Sequence, residues 1–202
     1  MIYLQKIARF YYRYFVKSGI IDKNRMGELI AMNEIEKSLI EFGAMHTAPL
    51  SPDKIHFYQE VRDLCAANSC GNYAKNWGCP PGCGQISELQ QKIQSYQNGI
   101  VYQFITPLED SFDYEGMLTA GKNFLLISTK ARKAFPYAWV LGGGGCSLCE
   151  TCTYPTAPCA HPDLRNTSVE ACGINVSELC SAAGLDYIHG KNTVTNTGIV
   201  LY

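Results

Sequence analysis

The side chains with the clearest chemistry in this sequence are its cysteines, eight of which fall into two groups. In chain order, the groups are Cys65, Cys70, Cys79 and Cys83, followed by Cys146, Cys149, Cys152 and Cys159. Cysteine thiolates bind soft metal ions and iron–sulfur clusters. Four thiolates brought together repel one another and lose hydration, so we expect each group to hold a metal centre.

The second group has the spacing of an iron–sulfur loop. It reads Cys-x2-Cys-x2-Cys-x6-Cys, so one short loop can place three thiolates around a cluster while the next turn supplies the fourth. Zinc sites are more often built from two Cys-x2-Cys pairs that lie a dozen or more residues apart. The spacing therefore favours a [4Fe-4S] cluster over zinc at these four cysteines.

The first group has looser intervals and matches no single ligand rule. Pro80 and Pro81 directly follow Cys79, and a proline after a ligating cysteine stiffens the loop as it leaves a cluster. We interpret this group as a second metal site. Cys83 is the candidate fourth ligand, Cys172 or a non-cysteine residue is the alternative, and the choice between iron–sulfur and zinc stays open.

The amino-terminal residues decide how so many cysteines are interpreted, because a small secreted domain would use them in disulfides. Residues 1–17 interleave four cations with apolar side chains. They contain neither the uninterrupted apolar stretch nor the small-residue cleavage site of a signal peptide, and no later segment is apolar over the length of a membrane span. We therefore expect a cytoplasmic protein, since clustered cysteines in that reducing compartment usually hold metal.

The composition gives no general affinity for nucleic acid. The sequence has 17 Lys and Arg residues against 18 Asp and Glu residues, a formal charge of -1, so no overall positive field attracts phosphates. The chain of 202 residues is 47% hydrophobic and can bury one sizeable core. We predict a basic amphipathic helix over residues 1–25 and a single cysteine-rich domain over residues 26–202.

The cationic stripe of residues 1–17 lies opposite aromatic side chains on the predicted helix. Such a surface suits an anionic membrane, a redox partner protein or a second copy of the chain. Packing within the protein is the favoured interpretation, because most amphipathic helices bury their apolar face against other helices or sheets.

Alternating helices and strands must position the two groups. Apolar periodicity predicts helices over residues 29–42, 86–96, 111–133 and 175–183, and strands over 99–105, 137–141, 185–188 and 193–201. The last two strands suggest a closing hairpin or an edge strand. Residues 55–61 fit a short helix begun by Ser51 and Pro52, and residues 57–61 also fit a strand. The helix over 29–42 should stop at Gly43, in a left-handed C-cap.

The strands at 99–105 and 137–141 are joined by a long helix, which is the outline of a right-handed βαβ crossover with parallel pairing. We therefore predict an α+β fold with a ferredoxin-like βαβ sheet packed by helices, two cysteine-rich metal loops and an N-terminal helical extension. Gly142–Gly145 follow the second strand, so Cys146 should begin at the carboxyl end of a central strand. Glycines there let backbone N–H groups approach cluster sulfurs.

Beyond the cysteines, two longer strings carry a family resemblance: Cys70-Gly-Asn-Tyr-Ala-Lys-Asn-Trp-Gly-Cys79-Pro-Pro, and Gly-Gly-Cys146-Ser-Leu-Cys149-Glu-Thr-Cys152 with the later Pro158-Cys159-Ala-His161-Pro162. They resemble a family of predicted metal-binding, cysteine-rich proteins of unknown function from anaerobic bacteria and archaea. The resemblance covers about residues 34–202. It implies Cys65, Cys70 and Cys79 in one ligand group and the four later cysteines in the other. Cys83 is less typical of the pattern.

Three functions are consistent with these features. The favoured one is an electron-transfer protein in which two [4Fe-4S] clusters pass electrons to a partner enzyme. The second is an iron–sulfur enzyme or cofactor-maturation factor, in which a cluster held by three cysteines leaves one iron open. The third is a zinc-stabilised binding domain. The sequence contains no nucleotide-binding fingerprint and no Ser/His/Asp set, so no catalytic residue is assigned.

Overall fold

The computed structural model describes residues 34–202. The predicted basic helix over residues 1–25 and the predicted domain boundary that follows it lie outside the described residues. Among the described residues, Leu39–Tyr202 form one compact unit, the second of two along the chain. The second unit contains all ten cysteines, each as a free thiol.

The first described element is a helix over residues 34–42, here α1, which agrees with the described part of the helix predicted there. It ends at Gly43, whose φ is +117°. The Gly43 N–H donates to the Ile40 carbonyl at 3.0 Å, and the Ala44 N–H donates to the Leu39 carbonyl at 2.9 Å. This pair of bonds is the Schellman arrangement, so the predicted glycine stop is confirmed.

Four strands form one antiparallel sheet in the order β1-β2-β4-β3. The strands are β1 His46–Pro49, β2 Gly99–Pro107, β3 Trp139–Leu141 and β4 Thr193–Leu201. Val200 of β4 lies opposite Ile100 on one side and opposite Val140 on the other. The strand nearest the carboxyl terminus is therefore internal, and the predicted edge position or closing hairpin is wrong. Residues 185–188 form no strand.

The expected parallel pairing of β2 and β3 is also wrong. The two strands run in the same direction, but β4 lies between them and pairs antiparallel with both. This places β3 at an edge of the sheet, not at its centre as expected. The α+β class is confirmed, whereas the ferredoxin-like arrangement is not. The periodicity of a strand shows which face is buried, and it does not show which strand lies beside it.

The remaining helices are α2 Gln59–Ala66, α3 Ile86–Gln94, α4 Tyr114–Ala134 and α5 Val176–Ala182, with short 3-10 turns at Pro52–Lys54 and Glu170–Cys172. The strand considered over residues 57–61 is absent. The short helix begun by Ser51 and Pro52 is a 3-10 turn only, and the α-helix of this region, α2, begins later, at Gln59. The Asp113 side chain caps α4 by accepting from the Gly116 N–H at 2.8 Å. Among the helices of residues 34–202, none is long and apolar enough to cross a membrane.

Both faces of the sheet are covered, because neighbouring residues of a strand point to opposite sides. Tyr102 of β2 stacks on Phe124 of α4 at 5.3 Å between ring centroids, and its hydroxyl lies 2.8 Å from the Ser128 hydroxyl. Val101, the preceding residue, belongs to the buried cluster on the other face, which also contains Cys83. The sheet therefore separates the α4 side from the side that contains part of the first cysteine group.

Candidate metal centre

The loop that carries the second cysteine group begins where β3 ends. Gly142 follows Leu141 directly, and its N–H donates to the Thr167 carbonyl at 3.0 Å. The Gly142 carbonyl in turn accepts from the Val169 N–H at 3.0 Å. The predicted position of Cys146 beyond a strand end is confirmed, and these two bonds attach the start of its loop to residues 167–169.

Asn166 holds the glycines that precede Cys146. Its side-chain Nδ2 donates to the carbonyls of Gly143, Gly144 and Gly145 at 3.0, 3.2 and 3.2 Å. Its Oδ1 accepts from Nη2 of Arg132, and Asn166 itself is fully buried. The sequence analysis assigned no role to this residue, because a single asparagine in a loop belongs to no spacing pattern.

All four cysteines of the second group line one small cavity. Trp77 and His161 line it too. The pKa of the Cys149 thiol is raised by desolvation and then by the neighbouring thiols of Cys146, Cys152 and Cys159, an effect that requires the four sulfurs to be near one another. The structure therefore brings this predicted set together.

Trp77, which belongs to the first cysteine segment, lines the cavity of the second group. Its indole N–H donates to the Ala157 carbonyl at 3.0 Å, and its ring meets Tyr154 edge-on at 5.0 Å between centroids. A tryptophan in this position covers the loop with apolar surface while satisfying its one donor. The two cysteine segments are therefore not separate modules.

Cys65, Cys70 and Cys79 of the first group line a larger cavity of about 310 Å³. Cys65 lies in the last turn of α2, and the other two lie in the turns that follow it. Gly145 and Glu170 also line this cavity. The three cysteines that the family resemblance placed together are thus together in the structure.

Cys83 is not among the described residues that line this cavity. It is buried in the core cluster that also contains Cys172, and Nη1 of Arg62 lies 3.5 Å from its sulfur. Arg62 also donates to the Ala171 carbonyl at 2.5 Å and to the Gly84 carbonyl at 2.9 Å. Burial raises the pKa of the Cys83 thiol, and the charge of Arg62 partly opposes that rise.

Cys172, the alternative fourth ligand, is fully buried and also does not line the cavity within the described residues. Burial raises the pKa of its thiol strongly. The structure thus separates three cysteines at a cavity wall from two in the core, and the fourth ligand stays a prediction.

The two cysteine segments meet at glycines that leave no room for a side chain. A Cβ at Gly78 would lie 1.8 Å from the Asn166 carbonyl oxygen and 3.0 Å from Cβ of Cys146. A Cβ at Gly145 would lie 2.4 Å from Oδ1 of Asn72. Both contacts join the segment of residues 65–83 to the loop of the second group, so the two cavities are neighbours.

The thiol of Cys79 shows how closely the segments are connected. Burial raises its pKa to about 11, and hydrogen bonds from the Asn76 side chain and the Cys146 backbone partly oppose that rise. Hydrogen bonds to a thiolate favour its charged form, and in iron–sulfur proteins they also tune the reduction potential. The backbone at Cys146, directly after the four glycines, therefore reaches a cysteine of the other group.

Within residues 34–202, no three His, Cys, Asp or Glu side chains form a group that could hold a single metal ion. Both cavities nevertheless offer thiols as their main donors. Thiolate sets suit zinc and iron–sulfur clusters and do not suit hard cations such as magnesium or calcium. The donor chemistry therefore fits either of the metals that the sequence analysis considered.

A protein-family model matches residues 48–202, and it describes a predicted metal-binding protein of the DUF2284 family. This chain belongs to that family. The match includes all eight cysteines of the two groups and begins somewhat later than the expected start near residue 34. The description extends to metal binding and names neither a metal nor a reaction. The curated proteins and the solved structures contain no match to the chain.

Proposed function

We propose that this protein is an iron–sulfur redox protein with two unequal clusters. Cys146, Cys149, Cys152 and Cys159 hold a closed [4Fe-4S] cluster, and Cys65, Cys70 and Cys79 hold a second cluster in which one iron has no cysteine ligand. The observation that carries the proposal is that three cysteines of the first group line the cavity of about 310 Å³, without Cys83. An iron without a cysteine beside such a space can accept a small molecule.

This proposal favours an enzyme or a cofactor-maturation factor over a protein that only transfers electrons. When bound, an iron–sulfur cluster supplies one-electron transfer and, at an open iron, a position for a ligand. Glu170 and Tyr73 line the first cavity and supply groups that can hydrogen-bond to such a ligand.

The contact between the two segments supports different roles for the two sites. Because Gly78 packs directly against Asn166 and Cys146, the two cavities lie close enough for electrons to pass between them. We infer that a redox partner protein delivers electrons to the closed site, which passes them to the open site. The proposal includes a cytoplasmic location, where cysteines stay reduced and available to clusters.

Iron and acid-labile sulfide counts after anaerobic purification test the proposal. Two clusters give about eight iron atoms per chain. Cys83→Ser should keep that number, whereas Cys70→Ser should lose about half of it because it removes a cavity ligand. Cys180→Ser is the matched control for Cys83→Ser, since Cys180 is also buried and belongs to neither group. Loss of iron in Cys83→Ser equal to that in Cys70→Ser would make Cys83 a ligand and the first site closed.

A spectroscopic titration tests the open iron separately. In the reduced protein, added cyanide should change the electron paramagnetic resonance signal of one cluster and leave the other unchanged. The same change should occur in Cys83→Ser. If neither signal responds, both clusters are closed and the protein only transfers electrons. A colourless protein with zinc and no acid-labile sulfide would instead indicate a zinc-stabilised binding domain.

A further inference from the structure

A third cavity, whose lining is mainly polar, has an excess of positive charge. It has a volume of about 210 Å³ and lies between α3, the end of α4, β3 and residues 162–165. Lys92, Arg132 and Arg165 line it, whereas Asp163 is the one carboxylate among its described lining residues. We call it the cationic cavity.

Arg132 lies buried in this wall, with 4% of its surface exposed. Its Nε donates to the Val140 carbonyl at 3.2 Å, and its Nη2 donates to Asn166. Its Nη1 is buried and has no hydrogen-bond partner in the described part of the chain. Native proteins rarely leave a buried donor unpaired, and a charged donor least of all. The side chain therefore has unused capacity to bind a ligand.

Lys92 and Arg165 add two more charges at the cavity. The Lys92 ammonium lies 3.9 Å from the centroid of the Trp139 ring. Burial lowers the pKa of Lys92, and the nearby charge of Arg165 lowers it further. No ion pair joins any of the three cations to a carboxylate within residues 34–202. Like charges that lie close together repel one another, and Asp163 alone does not balance the three cations, so the cavity keeps an excess of positive charge.

We propose that the cationic cavity binds a small oxyanion, either phosphate or the phosphoryl group of a small organic molecule. Guanidinium groups form paired, charge-assisted hydrogen bonds to phosphate, and a lysine adds a point charge. A dianion best balances three cations and one carboxylate. Trp139 and Tyr96 also line the cavity and supply aromatic surface and a hydroxyl beside the anion. The proposal is independent of the identity of the metal in the cysteine cavities.

Calorimetric titration of the full chain with inorganic phosphate, at constant low ionic strength, tests this proposal. We expect saturable binding at one site and about fivefold weaker binding in Lys92→Gln and in Arg165→Gln, because each change removes one cation beside the anion. Lys122→Gln removes an exposed lysine of α4 that does not line the cavity. It should bind phosphate as tightly as the native chain does.

The two sources of the oxyanion are separated by titration with phenyl phosphate. Tighter binding than that of phosphate indicates an organic phosphate that also uses Trp139, whereas equal binding indicates the free ion. Phosphate should also raise the melting temperature of the native chain more than that of Lys92→Gln, provided that both fold. The proposal is overturned if no binding saturates up to about 10 mM phosphate. It is equally overturned if Lys122→Gln loses as much affinity as Lys92→Gln, because the attraction would then be non-specific.

Discussion

The two cysteine segments differ in how their cysteines reach a common cavity. In the second segment, one loop after β3 carries all four cysteines, and every one of them lines the same cavity. In the first, three cysteines line a cavity whereas Cys83 is buried in the core beside Arg62. The interval to the preceding cysteine does not explain the difference, since Cys83 follows Cys79 more closely than Cys159 follows Cys152. What sets Cys83 apart is its burial in the core cluster that also contains Cys172.

The largest loss of stability and of metal is expected from a substitution where the two cysteine segments meet. Gly78→Ala would place a methyl group 1.8 Å from a backbone oxygen of residue 166, so the segments must separate. We expect a loss of about 4 kcal/mol in the free energy of unfolding, together with loss of metal from both sites. Denaturant unfolding and metal analysis measure the two results.

Gly121→Ala is the matched control for that change. It lies within α4, and a Cβ there would meet nothing within 4 Å. Alanine favours a helix over glycine by up to about 1 kcal/mol, so this variant should be as stable as the native chain or more stable. If Gly78→Ala were equally well tolerated, the close contact between the segments would not exist.

The next largest loss of stability is expected from a change at Asn166, which should affect metal binding at the second site before the first. Asn166→Asp keeps an acceptor for Arg132 but replaces the amide that donates to three glycine carbonyls. The carbonyls would then face an acceptor, and we expect a loss of about 3 kcal/mol in unfolding free energy. Metal should be lost first from the site of the second group. Because Cys70→Ser should already lack the metal of the first site, its remaining metal reports on the second site. The metal content of Cys70→Ser is therefore compared with that of Cys70→Ser combined with Asn166→Asp.

Asn166→Ala is the companion variant, since it removes donor and acceptor together. If the donor to the glycines is what matters, the Asp and Ala variants should be similarly destabilised. A native-like stability of the Asp variant would mean that Arg132, not the glycine loop, is the partner that matters.

A smaller effect is expected at Arg62, which connects α2 to the core near Cys83. Arg62→Met removes hydrogen bonds to two carbonyls and to the Cys83 sulfur, so we expect a loss of about 2 kcal/mol in unfolding free energy. Metal binding should weaken at the first site alone, because α2 carries Cys65. Lys75→Met, an exposed cation of the same segment, is the control and should change neither quantity.

The smallest effect is expected away from both segments, at Glu178 of α5. Its carboxylate accepts from the Tyr58 hydroxyl at 2.9 Å and lies 2.7 Å from Nδ1 of His56. The Tyr58 hydrogen bond, followed by the one from His56, holds the pKa of Glu178 below its usual range. A lowered folded-state pKa contributes stability above the unfolded-state pKa, and that contribution is lost as the pH falls through the folded-state value.

Thermal unfolding of Glu178→Gln over a range of pH measures this contribution. The variant should be slightly less stable than the native chain at neutral pH, and the difference should shrink as the pH falls below about 4.5. At each pH, the metal content of the variant should equal that of the native chain, because Glu178 lines neither cysteine cavity. A difference that grows in acid would show that Glu178 is not the group that titrates.

Much of the local structure was predictable from the sequence. The stop of α1 at Gly43, the buried strand β2, the long helix α4 and the position of Cys146 after a strand all follow from short-range patterns. Two predictions were wrong for one shared reason. The parallel pairing of β2 with β3 and the edge position of β4 both depend on where β4 inserts, and its residues lie far along the chain from their partners.

In the candidate sites, too, some features were predictable from the sequence and others were not. Close spacing alone was enough to group the second four cysteines, and the family match to residues 48–202 is consistent with that grouping. Arg62, Arg132 and Asn166 were not found, because each acts through at least one bond to a group more than twenty positions away in the sequence. No local pattern marks a residue whose partners come from other elements.

By itself, the sequence determined that this chain carries two thiol-rich segments suited to metal, and where most of its helices and strands lie. These features depend on neighbours within a few turns of the chain, which periodicity and spacing report directly. The tertiary structure decided that β4 lies between β2 and β3, that Cys83 is buried beside Arg62, and that three cations share one cavity. Those outcomes depend on contacts between distant residues, because the packing of the whole core selects them.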